Sequence, residues 1–168
     1  LQRRSPSAAP PPGSMELLDT AVACDAFDMI RPSPGMPALH QVAHQLLSNR
    51  MPDVLHPHAT GTPDHDPAEL AVLADVLQSA GPLPPVYACK GALGHGLGAA
   101  GLVSLVLACL SARTGQVPPM PWIDQPVDTP LPIRTAGHKA SKPLATHAIF
   151  AAGFGGHNAG AVIRRNSN

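Results

Sequence analysis

Prolines determine where this chain can form regular structure. They make up 21 of its 168 residues, and they cluster between apolar segments rather than inside them. A proline lacks the backbone donor and fixes φ, so helix interiors and central strands both exclude it. The chain is therefore divided into short elements separated by loops, such as 30–37, and by one long proline-rich connection over 115–146.

The segments between the prolines alternate between strand patterns and helix patterns. In chain order, they are a strand over 15–27, a helix from Pro37, a strand over 51–58, a helix from Asp66, a strand over 84–90, an apolar helix that reaches about Arg113, and a hairpin over 147–165. This order predicts an α/β fold with a mixed sheet and helices packed on it.

The helix from Asp66 has the clearest start signal. Asp66 suits the N-cap, Pro67 the first turn and Glu69 the N3 position, and together they predict a capping box. An apolar stripe then repeats at helical spacing, and Gly81-Pro82 ends the helix. The stripe comprises Leu70, Leu73, Ala74 and Leu77.

Charge and cysteine content exclude several classes of protein. Lys+Arg number 11 and Asp+Glu 11, so no net charge is available for a basic nucleic-acid surface. The 3 cysteines are too widely spaced for a disulfide framework, which favours a reduced, cytoplasmic protein. Residues 1–14 lack the apolar stretch of a secretory signal and are expected to be a flexible leader, a linker or a cloning remnant, with Met15 as the natural start.

The longest apolar stretch, residues 97–112, is interrupted by Gly98, Gly101 and Ser104. It is shorter than the roughly 20 residues of a membrane-spanning helix, so we expect a buried core helix and no membrane span.

A Gly96-x-Gly98-x-x-Gly101 pattern opens the same stretch, and Asp124 follows it as in dinucleotide sites. However, a dinucleotide turn follows its strand at once, whereas the predicted strand here ends at Lys90. We therefore favour the interpretation that these small residues let the helix pack closely.

Metal and thiol chemistry are two further alternatives. A zinc site would draw on His56, His58, Asp64, His65 and Asp66. Pro57 interrupts the strand between the first two, and the chain has 9 histidines, so chance clustering explains this group better. Cys89 and Cys109 lie in apolar segments typical of inert core thiols, and nothing after Cys24 forms a nucleophile turn.

Four motifs remain, two of which are rich in glycine. They are His58–Thr62 (HATGT), Asp66–Glu69 (DPAE), Lys90–Gly101 (KGALGHGLGAAG) and Gly153–Asn158 (GFGGHN). Two histidines at strand ends, a lysine between them and the glycine-rich hairpin turn are expected to converge on one pocket. Neutral imidazole donors beside a cation suit the stabilisation of a developing enolate or oxyanion.

This series of motifs resembles the C-terminal half of the β-ketoacyl-acyl-carrier-protein synthases, which are decarboxylating condensing enzymes of the thiolase fold. That family carries H-G-T-G-T, D-x-x-E, K-S-x-x-G-H-x-x-G-A-A-G, a V-P-P connection and G-F-G-G-T-N in this order. The chain has a counterpart of each, with V-P-P at 117–119, and its CDAFDM at 24–29 is similar to the family's D-A-x-x-M segment. The match covers about 17–165 and implies one half of a thiolase-like fold.

The resemblance implies a role for each matching residue. His58 and His95 would assist decarboxylation of a malonyl group and stabilise the enolate, with Lys90 supporting them electrostatically. Glu69 would order the surrounding network, and Phe154 would be the gating residue near the thioester oxyanion. The supporting residues in the same motifs are Thr60, Thr62, Gly153 and Gly155. No cofactor or metal is implied.

The chain also departs from the family pattern. Ala59, Gly91 and His157 stand where the family commonly has Gly, Ser and Thr. The family nucleophile lies in a D-T-A-C-S-S-type motif of the N-terminal half, which these 168 residues do not contain.

The chain is therefore expected to act with an N-terminal half, with acyl- or malonyl-carrying acyl carrier protein, and as part of a dimer. Without that half, an apolar face is expected to be exposed. Two alternatives remain, namely a non-catalytic subunit like a chain-length factor and a nucleotide-binding α/β domain that uses the glycine pattern.

Overall fold

The protein is described by a computed structural model, which covers residues 11–78, 81–136, 138–139 and 142–166. Its strands are β1 (Met15–Cys24), β2 (Val54–His56), β3 (Gln116–Val117), β4 (His138–Lys139), β5 (Thr146–Gly153) and β6 (His157–Arg165). Its helices are α1 (Pro37–Leu47), α2 (Asp66–Leu77), α3 (Lys90–Leu93) and α4 (Ala100–Thr114), with 3₁₀ turns at Leu97–Ala99 and Phe154–Gly156. The predicted α/β fold is confirmed.

Four strands form one mixed sheet in the order β1-β6-β5-β2. β6 is antiparallel to both β1 and β5, whereas β2 is parallel to β5. β5 and β6 form the predicted hairpin, with Gly153 opposite His157 at its turn. β3 and β4 pair separately.

Alternate residues of the hairpin face opposite layers of the molecule. Phe150 and Val162 belong to the core beneath α1 and α2, whereas Ile149 and Ile163 pack with Ala108 of α4. This alternation is the period of 2 that a strand imposes on its side chains. Helix α1 begins at Pro37, as predicted, and buries its apolar stripe in the first of these layers.

Of the predicted strands, one is absent from the structure and another is shorter than predicted. Residues 84–90 do not form a strand, because Pro84 and Pro85 have no N–H to donate to a ladder. Only Val86 bridges its neighbours, one of which is Leu55 of β2. β2 itself ends at His56 because Pro57 follows it.

The prediction of a buried core helix is wrong for α4. Its small residues pack on the sheet as predicted, and a methyl group at Gly101 would lie 3.4 Å from the Ala151 side chain. Its other face is exposed, however, with Leu102 at 63% and Val106 at 51% exposure. Leu97–Thr114 is also long and apolar enough, by length and composition alone, to cross a membrane. Core helices of soluble proteins pass the same test, so this is weak evidence for a span.

The first described residues extend the sheet. Gly13 N–H donates to Asn166 O at 3.2 Å, and Asn166 N–H donates to Ser14 O at 2.9 Å. Residues 1–10, which make up most of the predicted leader, lie outside the described residues.

A buried pair of histidines joins β2 to β5. His56 Nε2 lies 3.0 Å from His147 Nδ1, and His147 Nε2 lies 3.1 Å from Leu144 O. Because a carbonyl only accepts, His147 carries its proton on Nε2 and accepts at Nδ1, so His56 Nε2 is the donor. Burial lowers the pKa of both histidines, and the two side chains are therefore neutral.

This pair makes the fold sensitive to acid. Below pH 6.5, the ordinary pKa of histidine, the unfolded chain binds protons that the folded pair excludes, so stability is complete above pH 6.5 and declines as pH falls. At pH 5.5 we expect His56 alone to account for a loss of about 1 kcal/mol in the free energy of unfolding. Urea unfolding between pH 7.5 and 5 measures this loss.

A variant with His56→Gln and His147→Gln should be less stable at pH 7.5 but less dependent on pH. The exposed His44→Gln serves as the matched control and should retain the wild-type slope. An unchanged slope in the double variant would show that the pair does not exclude protons.

Candidate active site

Two carboxylates of α2 hold the loop that follows β2. Glu69 Oε1 accepts a hydrogen bond from His58 N–H at 2.6 Å, and Glu69 Oε2 accepts one from Ala59 N–H at 2.8 Å. Asp66 accepts from the next two amides, with Thr60 N at 3.0 Å from Oδ1 and Gly61 N at 2.9 Å from Oδ2. Four consecutive amides are therefore fixed by the first turn of one helix.

This arrangement corrects the predicted capping box. The helix begins at Asp66, and neither Asp66 nor Glu69 caps its own helix. Both carboxylates turn instead to the preceding loop, where they compensate for strain. Ala59 has φ of +37°, a left-handed conformation that a residue with a Cβ rarely adopts.

Lys90 connects this loop to the next motif. It is the first residue of α3, and its Nζ donates a hydrogen bond to His58 O. Burial lowers the pKa of Lys90, although the nearby carboxylates Glu69 and Asp66 oppose that shift. The lysine thereby fixes α3, and the glycine-rich segment after it, against the loop of His58.

His58 lies between two other histidines. Its ring centroid is 5.3 Å from that of His95 and 5.4 Å from that of His65, with both rings edge-on to it. Burial, together with the cations around it and Lys90 first among them, lowers the pKa of His58 to about 3. His58 is therefore neutral, and its Nδ1 is buried without a hydrogen-bond partner among the described residues.

His95 is exposed at the edge of the same cluster. Its Nδ1 accepts a hydrogen bond from Leu97 N–H at 2.9 Å, which leaves Nε2 as the nitrogen that carries the proton in the neutral ring. In the neutral ring, His95 therefore has its N–H donor on Nε2.

Sequence reasoning considered His65 only as a zinc ligand and missed its place in this cluster. Its Nδ1 lies 3.7 Å from Asp66 Oδ1 and 3.6 Å from Glu69 Oε2. Burial by itself would lower the pKa of His65, but these two carboxylates outweigh it and raise the pKa above 6.5. The helical spacing of His65 and Glu69, four residues apart, is the signal that could have found this contact.

A cavity of about 580 Å³ opens beside the cluster, between the loop of His58 and the proline-rich connection. Thr60, Thr62, Lys90 and His95 line it with polar groups, and most of the remaining wall is apolar. The connection contributes residues from Met120 to Val127. The long proline-rich segment therefore forms one wall of this cavity.

The glycine-rich turn at Phe154 lies apart from this cavity, contrary to the prediction that it converges on the same pocket. Phe154 is 76% exposed, and neither it nor Gly153 nor Gly155 lines the cavity. The turn is held by the loop after β1, where Gly155 N–H donates to Met29 O at 2.9 Å and Asp25 N–H donates to Gly156 O at 3.2 Å.

The alternative sites are not assembled. Helix α3 lies between residues 84–89 and Gly96. The glycine pattern therefore does not follow a strand directly, as a dinucleotide turn would. His56 bonds to His147 rather than facing the other zinc candidates, and the described residues contain no group of three metal-ligating side chains. Cys89 is buried beside Ser104, and burial raises the pKa of Cys109.

Comparison with known proteins shows which family this chain is similar to. Residues 15–124 match the family model for the beta-ketoacyl synthase C-terminal domain. The 3-oxoacyl-[acyl-carrier-protein] synthase 2 of Mycobacterium tuberculosis is 32% identical over 157 residues, covering 89% of this chain and 36% of the relative. The Escherichia coli synthase 1 is 29% identical over 151 residues, with the same shares covered.

A solved structure shows the same fold. The AntDE ketosynthase, seen with its acyl-carrier protein AntF and bound to a hexaketide, superposes with a TM-score of 0.78 at 23% identity, covering 89% of this chain and 38% of that one. The fold is therefore that of the ketosynthases, one half of a thiolase-like fold. The chain belongs to the beta-ketoacyl synthase family, in which it covers the C-terminal domain. It spans about a third of the length of the curated relatives that it matches, 36% for each of these two synthases.

Glu69→Gln tests the anchoring of the His58 loop. An amide has one acceptor oxygen instead of two, so one buried backbone N–H loses its partner, and we expect a loss of about 1–3 kcal/mol in the free energy of unfolding. Hydrogen exchange at His58 and Ala59 should accelerate at the same time. Asp75→Asn, on the exposed side of the same helix, is the control and should change neither property.

We expect the histidines of this cluster to titrate at different pH values. In an NMR titration of the imidazole signals, His65 should titrate above pH 6.5, while His58 should stay neutral throughout the range in which the protein is folded. His65→Gln should remove the high-pH titration, and His44→Gln should leave it in place. A His58 signal that titrates near pH 6.5 would contradict the assigned charges.

Proposed function

We propose that this chain is the C-terminal half of a β-ketoacyl-acyl-carrier-protein synthase, an acyltransferase that condenses an acyl thioester with malonyl-acyl carrier protein. The observation that carries the proposal is the contact of His58 with both His95 and Lys90, the last two of which line one cavity. The two relatives above, both named as 3-oxoacyl-[acyl-carrier-protein] synthases, support the same reaction.

The geometry suits decarboxylation. When the bond between the malonyl carboxylate and its α-carbon breaks, carbon dioxide leaves and the electron pair passes into an enolate. The proposed role of His95 is to donate its Nε2–H to the thioester oxygen as negative charge develops there, with His58 as the second imidazole. Lys90 adds a positive field to the site, and it donates one of its three ammonium hydrogens to His58 O.

Condensation then needs an acylated cysteine. The enolate carbon attacks the carbonyl of the acyl-cysteine, a carbon–carbon bond forms, and the cysteine leaves as a thiolate. We propose that an N-terminal half supplies this cysteine, either in the same polypeptide or as a separate chain. The proposed domain spans 15–168, and the Phe154 turn is proposed to gate access to the acylated cysteine from that side.

The exposed face of α4 supports docking of that half. Leu102, Val106 and Leu110 of α4 and Leu97 of the 3₁₀ turn before it are all about half exposed or more, and together they form an apolar surface. Such a surface is unusual on an isolated soluble domain. A dimer of the complete enzyme, acyl carrier protein as partner and a cytoplasmic location are parts of the same proposal, and the three free cysteines are compatible with a reducing compartment.

Decarboxylation by the reconstituted enzyme tests this function. The chain is co-expressed with an N-terminal ketosynthase half that carries the cysteine, and carbon dioxide release from malonyl-acyl carrier protein is measured. His95→Ala should lower the rate by roughly a hundredfold or more, because a donor to the developing oxyanion is lost. Lys90→Met should also lower it, whereas the exposed His44→Ala should not.

Two outcomes would contradict the proposal. A rate that survives His95→Ala would remove the residue from the chemistry. A wild-type complex that assembles but releases no carbon dioxide would favour the non-catalytic alternative, a subunit like a chain-length factor.

A further inference from the structure

Gly91 lies directly under the indole of Trp122. A methyl group on its α-carbon would overlap Nε1 and Cδ1 of the indole and lie 2.8 Å from Cε2. Gly91 is within α3 and has a helical backbone, a conformation in which other residues are more favourable than glycine. Glycine is therefore required here because the indole fills the space of a side chain, and not because of the backbone conformation.

The indole has one side in the core and another in the cavity. Trp122 packs against the apolar cluster that contains Met120, and it lines the cavity together with Lys90 and His95. The turn that presents the ring is closed by a hydrogen bond of 3.1 Å from Ile123 N–H to Met120 O. The ring is therefore positioned by the connection, next to the groups that we place in the chemistry.

The indole nitrogen is available to a ligand. Within the part of the chain that the structure describes, no hydrogen bond engages Trp122 Nε1. An indole N–H donates and cannot accept, so its partner in the cavity must carry an acceptor oxygen. The flat ring face also suits an extended chain of methylene and amide groups.

We propose that Trp122 is a specificity-determining residue of this cavity, and that its indole forms the wall along which the thioester arm of the substrate reaches Lys90 and His95. This inference rests on the proposed function. The family pattern commonly has Ser at the position of Gly91, where a hydroxyl both donates and accepts. In this chain the indole occupies that space, so the site selects ligands with acceptor groups.

The first test is a double-mutant cycle on stability in the full 168-residue chain. Gly91→Ala should lower the melting temperature in the wild-type background by roughly 5 °C or more, because the methyl group overlaps the ring. In the Trp122→Ala background the same change should raise it, because alanine is the better helix former. Gly98→Ala is the matched control, since nothing lies within 4 Å of a methyl group there.

The second test uses fluorescence, because the chain has 1 tryptophan and its emission reports on Trp122 alone. The probe is S-acetyl-N-acetylcysteamine, a small thioester with one amide. We expect a saturable change in emission with the wild-type chain, and an apparent Kd at least tenfold higher for Gly91→Ser. Gly98→Ser should bind like the wild type.

The results of these two tests either support or overturn the role of Trp122. Additive effects in the cycle, no saturable response of the wild type, or equal binding by Gly91→Ser would overturn the inference. If the probe responds as expected but the reconstituted enzyme releases no carbon dioxide, the proposed function is wrong and the contact of Trp122 with thioesters stands.

Discussion

The candidate site depends on the carboxylate of Glu69. It is buried, and burial raises its pKa, yet it accepts hydrogen bonds from two successive amides of the loop after β2. Those bonds fix the His58 carbonyl, which in turn binds Lys90, and Lys90 begins the helix that leads to His95. One helix turn therefore fixes the loop just before it and, through Lys90, the segment that leads to His95. A buried carboxylate that loses these amides would be left without the partners that make its burial tolerable.

Histidines that are chemically identical carry different charges because their neighbours differ. His58 is surrounded by cations and is buried, so it stays neutral and can act as a donor or acceptor. His65, one ring away, faces two carboxylates and favours the charged form. His56 and His147 have each other and a carbonyl, and they join two strands rather than serving the cavity. The site thus combines a neutral imidazole with a positive surrounding, which suits the development of negative charge on a bound ligand.

The sequence predicted correctly those elements whose start or turn is set by residues within the element itself. The start of α1 at Pro37 and the β5–β6 hairpin follow from proline geometry and from alternation around a glycine turn. The order of motifs also identified His58, Lys90 and His95 as a group before their distances were known. Features that depend on distant partners were missed, such as the direction of the Asp66 and Glu69 carboxylates. An exposed apolar face was expected, but its location on α4 was not, because the same helix was predicted to be buried in the core. The contact of Trp122 with Gly91 was missed for the same reason, since no local pattern relates a helix to a loop 31 positions later.

The strand order has a consequence for how this chain folds during synthesis. Both edge strands, β1 and β2, come from the first third of the sequence, whereas the central strands, β5 and β6, lie between Thr146 and Arg165. β1 pairs only with β6, and β2 pairs with β5, so neither has its partner until translation has passed residue 146. Helices α1 and α2 emerge from the ribosome long before the sheet that they cover can exist. The nascent chain must therefore keep its apolar helices from aggregating until β5 and β6 have been synthesised.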